Sequence, residues 1–180
     1  MSPDLNLRLA ASSDAPMLAA LMTETFLAAY GHVAPKDSLQ RHIARSYDAG
    51  RIADRIDSGD IEIWLVEARG DANGAPRDAG YLQLGLNVPP PAALNGRAAL
   101  EVQRCYMRPA YIGSGGAHQL MTRAQQRARE LCAPALHLSV YQLAPRAVNF
   151  YQRHGFRQSA AIKYYIDDVE FDDWLMVWEG

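Results

Sequence analysis

Residues 101–121, EVQRCYMRPAYIGSGGAHQLM, place a glycine-rich turn between a strand-like run and a helix-like run. Gly113, Gly115 and Gly116 let the backbone take conformations that a Cβ forbids, so that several N–H groups point outward into one concavity. A helix starting near Gly115 adds unpaired N–H groups and the positive end of its dipole, which together favour an anion. The turn ends in neither the Gly-Lys-Ser/Thr of a Walker loop nor the glycine spacing of a dinucleotide fingerprint, so ATP and NAD are both disfavoured. A different pyrophosphate-bearing ligand is expected there.

Working outward, the helix after the turn carries Leu120, Met121, Ala124, Ala128 and Leu131 on one face and Arg123, Gln126, Arg127 and Glu130 on the other, with Pro134 ending it. Residues 135–140 then read as a short apolar strand and 145–153 as a helix stopped by Gly155. Residues 156–166 and 171–178 read as a final hairpin. Upstream, residues 61–68 (IEIWLVEA) and 80–86 (GYLQLGL) alternate like neighbouring antiparallel strands across the polar link 69–79. Residues 87–96, with three consecutive prolines, form an irregular loop before a strand at 98–107. The N-terminal part predicts a strand at 6–10 and a helix from Ser12-Ser13-Asp14 to about Tyr30, with Gly31 as its stop. A second helix follows at 35–49 and a short third at 51–56. The fold class is α/β (α+β), a mixed, largely antiparallel sheet between helices.

At 180 residues the chain is long enough to bury a core in one domain, 1–180, without disulfides or a metal. Hydrophobic and charged fractions of 49% and 21% suit a soluble globular protein, and no apolar run approaches a bilayer span. The N-terminus has no secretory pattern, so a cytoplasmic location is expected. A net charge of −2 offers no basic face for nucleic acid. Cys105 and Cys132 form no CxxC pair and read as two buried thiols, while the histidines at 32, 42, 118, 137 and 154 show no ligand spacing for a metal. His118 lies near the turn and reads as a solvent-facing helix residue. The run DDVEFDD at 167–173 holds five carboxylates in seven positions, which suits a solvated hairpin turn or the attraction of a cationic substrate.

Two separated motifs carry a resemblance. Ile112-Gly113-Ser114-Gly115-Gly116-Ala117 aligns with Gln/Arg-x-x-Gly-x-Gly/Ala at a strand-to-helix turn, departing only at Ile112. The segment 144–156, with Ala144, Ala147, Phe150, Tyr151, Gly155 and Phe156, follows Asn-x-x-Ala-x-x-Phe-Tyr-x-x-x-Gly-Phe except at Ala144. On these motifs the chain resembles, over essentially its whole length, the GNAT superfamily of acyl-CoA-dependent N-acyltransferases. The stretches TFLAAYGHVAP and EVQRCYM look like the PaiA-type polyamine acetyltransferase branch.

The resemblance implies acetyl-CoA as co-substrate, its pyrophosphate on the backbone of 112–117 and its pantetheine arm along Cys105, Tyr106 and Met107, which offer peptide groups as a neighbouring strand would. Ala147, Phe150 and Ala144 belong to the same site, where the departure at Ala144 removes an amide that often contacts pantetheine. It also implies Tyr151 as the proton donor to the departing sulfur, suited because a phenol titrates near ~10 and a thiolate near ~8.5. A homodimer is expected by family analogy.

An alkyl amine titrates near ~10.4, so a base raises its reactive fraction at neutral pH. Glu101, on the strand before the turn, is the first candidate; an ion pair with Arg104 is its structural alternative. His32 and His42 are weaker candidates for the base. Cys105 as nucleophile is the rival enzymatic route, but it has no histidine nearby in sequence, and direct transfer in a ternary complex fits the resemblance better. The leading expectation is acetyl transfer to a small-molecule primary amine such as a polyamine. The alternatives are an acyl-CoA-binding regulator without turnover, or acetylation of a protein N-terminus or lysine at a groove built from the N-terminal helices, with the 87–96 loop lining it.

Overall fold

The computed structural model describes residues 4–69 and 77–180. Its regular elements are β1 (Leu5–Leu9), α1 (Ala15–Tyr30), α2 (Lys36–Ser46), α3 (Ala49–Asp57), β2 (Ile61–Ala68), β3 (Arg77–Gly85), β4 (Leu100–Met107), α4 (Gly116–Glu130), β5 (Ala135–Tyr141), α5 (Pro145–Arg153), β6 (Arg157–Ile166) and β7 (Val169–Glu179). The strands form one seven-stranded sheet in the order β1-β2-β3-β4-β5-β7-β6. Every neighbouring pair is antiparallel except β4 and β5, which are parallel. This is the mixed, largely antiparallel sheet that the alternating runs predict.

Each face of the sheet has its own core. On one side Leu82, Leu84, Val102, Leu136 and Met176 pack with Leu120, Met121 and Ala124 of α4 and with Phe156. On the other, Ile63, Leu65 and Tyr81 pack with Leu18, Leu21 and Phe26 of α1, Leu39 of α2 and Ile52 of α3. The helical spacing of Leu120, Met121, Ala124 and Ala128 explains why α4 docks as it does, since all four are fully buried. Removing a leucine side chain from water is worth roughly 1.5–3 kcal/mol, so this stripe outweighs the helix's polar face. Among the described residues, no helix is long and apolar enough to cross a membrane.

Most boundaries shift by one to three residues from the sequence reading, and three of the shifts have consequences. The expected helix 35–49 stops at Ser46, and Ala49 belongs to α3, because the Asp48 carboxylate accepts the Arg51 N–H at 2.9 Å and starts a new helix. Strand β3 begins at Arg77 and not at Gly80, while 70–76 of the expected polar link lie outside the described residues. Leu131 lies beyond the end of α4 and is exposed. Cys132 is exposed as well, against the expectation of a buried thiol, while Cys105 is half-buried. The reason is local: Cys132 takes the left-handed position (φ 53°) of a helix-ending turn. There the Ala133 N–H donates to the Ala128 carbonyl at 2.9 Å and the Cys132 N–H to that of Arg129 at 3.0 Å.

His42 is buried in the α1–α3 core, stacked on Phe26 at 4.7 Å, and neither ring nitrogen has a protein partner. It is neither a surface nor a satisfied histidine. Burial first, then Arg104 and Arg45, lowers its pKa to about 4. Because the unfolded chain binds this proton below pH ~6.5 and the folded chain only near 4, the group costs the fold stability as pH falls through that window, up to ~2–3 kcal/mol. His42→Leu should therefore show a shallower loss of stability between pH 6.5 and 4 than the wild type. Urea midpoints across that range check it, and parallel profiles for the two proteins would refute it.

Candidate active site

The turn after β4 is a preformed cradle. A short 3-10 segment (Pro109–Tyr111) turns the chain, and the Ser114 N–H donates to the Tyr111 carbonyl at 3.2 Å. Gly113 and Gly115 then sit at φ 89° and 91°, and a Cβ on either would meet open space. The left-handed backbone requires glycine at both, and the open space is where a ligand reaches the N–H groups. Helix α4 starts at Gly116, whose N–H donates to Ser114 Oγ at 3.4 Å, so the first turn of the helix follows the cradle directly. Gly116 is glycine for another reason: a Cβ there would lie 2.7 Å from Met107 Cε. Ile112 is 43% exposed, and Ala117 is half-buried in the first turn of α4.

The second feature is a gap inside the sheet. The β4–β5 ladder holds only Leu100 opposite Leu136 and Glu101 opposite His137, after which the strands part while β4 runs on to Met107 and β5 to Tyr141. A bulge at Gln103, where Gln83 faces Arg104 but Leu84 faces Val102, helps to turn β4 away. Beyond the bulge, Cys105 and Met107 pack on the α4–α5 side and Tyr106 on the α1–α3 side. Arg108 donates its N–H to Ala79 of β3 at 2.8 Å, so by alternation Cys105 and Met107 turn their peptide groups to the β5 side, where no strand pairs with them, and this edge ends at the cradle. Both the cradle and the edge suit a pyrophosphate carried on a long, amide-bearing arm.

Across the gap, α5 presents Tyr151, half-buried and packed edge-on against Phe150 at 5.3 Å and Phe156 at 5.9 Å. Ala147 and Phe150 pack against the same core, and Ala144 caps α5 without a side-chain hydrogen bond. Burial, with the Cys105 thiol and Tyr30 adding to it, holds the Tyr151 phenol well above its usual range, so it stays protonated. Burial also pushes the Cys105 thiol up to about 12, which makes it a poor nucleophile.

Two carboxyl groups lie on the α1–α3 face near the gap. Glu101 stands at its closed end, accepting from Gln103 Nε2 at 2.8 Å beside the buried His137. The alternative pairing of Glu101 with Arg104 does not occur; Arg104 lies over the Tyr47 ring, 5.1 Å from its centroid. Asp173 on β7 is the second. It is only 2% exposed, its Oδ1 lacks a partner, and burial pushes its pKa up to about 6, the neighbouring Ser139 opposing the shift and Asp172 adding to it. A carboxyl titrating there can accept a proton near neutral pH. The sequence reading missed Asp173 inside the acidic run, although Phe171, Asp173 and Leu175 share a strand face by simple alternation.

The rest of that run is committed to ion pairs. Asp167 binds Arg41 at 2.5 Å, Asp168 pairs with the same guanidinium at 3.2 Å, and Lys163 holds Glu170 and Asp172 at 2.6 and 2.7 Å. The solvated-turn reading is the one that fits. His32 is exposed on the α1–α2 link. His118 and His154 stand 3.3 Å apart beside the cradle, and among the described residues no group of three or more metal-ligating side chains occurs. The 87–96 loop buries Leu94 against Ala99 and Ala135, and its Ala93 and Leu94 line a separate cavity of about 360 Å³ with Gly155 and Arg157.

These parts suit transfer of an acyl group from a CoA thioester to an amine, and by class the protein is an acetyl-CoA-dependent N-acetyltransferase. The chain belongs to the acetyltransferase (GNAT) family, whose model matches residues 35–156. It is 29% identical over 170 residues to an uncharacterized N-acetyltransferase of Mycobacterium tuberculosis, covering 93% of this chain and 98% of that protein. An uncharacterized N-acetyltransferase of Lactobacillus delbrueckii subsp. lactis is 22% identical over 163 residues, covering 91% and 90% of the two chains. The fold matches that of the PaiA N-acetyltransferase from Thermoplasma acidophilum in complex with coenzyme A, with a TM-score of 0.74, 16% identity, and coverage of 98% of this chain and 99% of that one.

Proposed function

We propose that the chain, acting as one unit, moves an acetyl group from acetyl-CoA directly to the primary amine of a small molecule within a ternary complex. The observation that carries this reading is the parting of β4 from β5 after Glu101, which opens a slot between the glycine cradle and Tyr151. The backbone of residues 112–117 would hold the pyrophosphate, and Cys105, Tyr106 and Met107 would hydrogen-bond the pantetheine arm. Bound there, acetyl-CoA supplies an activated acyl thioester. The C–N bond forms as the C–S bond breaks; Tyr151 gives its proton to the departing sulfur, and Glu101 or Asp173 takes the proton lost by the amine. A neutral Cys105 thiol supports direct transfer over a covalent route.

The test is release of free thiol from acetyl-CoA with a panel of primary amines, alongside calorimetry of acetyl-CoA binding. Glu101→Gln should lower kcat roughly 10²-fold with cofactor affinity unchanged, the lower end expected of a general base. If its rate is unaffected while Asp173→Asn loses that much, the base is Asp173. Tight acetyl-CoA binding with no turnover of any amine would replace transfer by a binding function.

A further inference from the structure

Four arginines line one small cavity. Arg45 near the end of α2, Arg51 and Arg55 on successive turns of α3, and Arg104 on β4 line about 220 Å³ together with Ser46 and Gln83. Several arginines elsewhere in this protein find carboxylates: Arg8 has Asp14 and Glu67, Arg41 has Asp167, Arg127 has Glu62, and Arg108 has Glu24. Here they do not. Among the described residues, Arg51 donates to the Arg45 carbonyl at 3.2 Å, Arg55 to Gln103 Oε1 at 3.3 Å, and Arg104 lies over the Tyr47 ring. None of these three has a carboxylate within ion-pair distance, and Arg45 reaches Asp167 only at 3.7 Å.

Clustered like charges repel, and without a partner they destabilise the site they line. The effect is visible at Arg55, whose guanidinium is pulled below its usual range first by burial and then by Arg104. Planar guanidinium forks match oxyacid groups, carboxylate or phosphate, through paired hydrogen bonds. The cavity also touches the proposed chemistry. Gln83 in its wall donates to Gln103 Oε1 at 2.6 Å, and Gln103 donates to Glu101 at 2.8 Å, so one side-chain relay joins the arginines to a candidate base on the same face.

We propose that this cavity binds the acid group of the acceptor, which makes the acceptor an amine bearing a carboxylate or phosphate and not a polyamine. The assignment of the bound acid as acceptor rests on the acetyl-transfer reading above; the anion site itself does not. A polycation would bring more positive charge to four arginines, and the carboxylates of 167–172 that could have drawn it are already paired.

The experiment uses four probes with similar chains: 4-aminobutyrate, 3-aminopropyl phosphate, butylamine and 1,4-diaminobutane. Binding to the full chain is measured by calorimetry with CoA present, and acetylation by thiol release. At least one acid-bearing amine should bind tenfold or more tighter than butylamine and the diamine, and the comparison of the two acids decides between carboxylate and phosphate. The double variant Arg51→Gln/Arg55→Gln, on the outer helix, should lose that preference tenfold or more while keeping its affinity for acetyl-CoA. Arg104→Gln should do the same if it folds. Tighter binding of the diamine, or no binding of either acid, would overturn the proposal whether or not transfer occurs. An acid that binds through the arginines but is never acetylated would uphold the anion site and sink its assignment to the acceptor, while no turnover of any amine would sink the transfer reading itself.

Discussion

Replacing Tyr151 with Phe is expected to lower kcat by roughly 10²–10³-fold while changing acetyl-CoA affinity by less than about twofold. The substitution removes one hydroxyl and keeps the ring that packs on Phe150 and Phe156, so the helix and its core contacts stay in place. On the proposed reading, what is lost is the proton given to the departing sulfur. Burial keeps that phenol protonated far into the alkaline range, so the wild type should show no fall in rate from Tyr151 as pH rises through the ordinary phenol value. A steady-state comparison across pH, with calorimetry to confirm binding, decides the matter. If Tyr151→Phe keeps its rate, the departing sulfur takes its proton from elsewhere and the residue is a packing aromatic.

Gly115→Trp should abolish acetyl-CoA binding, with affinity falling by at least about 100-fold, the loss of several charge-assisted hydrogen bonds. Two effects act together and can be separated. Any side chain at φ 91° strains the backbone, and Gly115→Ala should show that cost alone, roughly 1 kcal/mol of stability. The indole adds bulk beyond a Cβ that itself meets open space above the cradle. The Ala variant should therefore melt like the Trp variant yet retain most of its binding. A folded Trp variant that binds as the wild type does would mean that the pyrophosphate sits somewhere other than this turn.

Local rules made the cradle and the helices legible. Glycine can be read as a φ requirement at Gly113 and Gly115, and the apolar period of α4 as a buried face, because both effects act within a few residues. The second motif likewise put Tyr151 on a short helix closed by Gly155. The slot was not legible from periodicity: whether β5 continues beside β4 depends on the Gln103 bulge and on how two distant strands diverge. The arginine cavity was hidden for the same reason, since Arg45, Arg51 and Arg55 look like ordinary surface charges until Arg104 arrives from another part of the chain. Asp173 shows a different failure. Composition marked 167–173 as one acidic patch, whereas alternation along β7 puts Asp172 in solvent with Lys163 and Asp173 inside.

The parting of β4 from β5 also works as a ruler. The slot is closed at Glu101 and His137 and opens at Met107, so its depth is a count of peptide units, roughly 3.3 Å each. A ligand anchored at the cradle places its far end by that count and not by any side chain it touches. Exchanging Cys105 or Met107 for residues of similar size would leave the register intact, whereas one residue added between Met107 and Gly113 would carry the anchor away from Tyr151. On the proposed reading, chain length along this one strand would keep a reactive carbon opposite Tyr151.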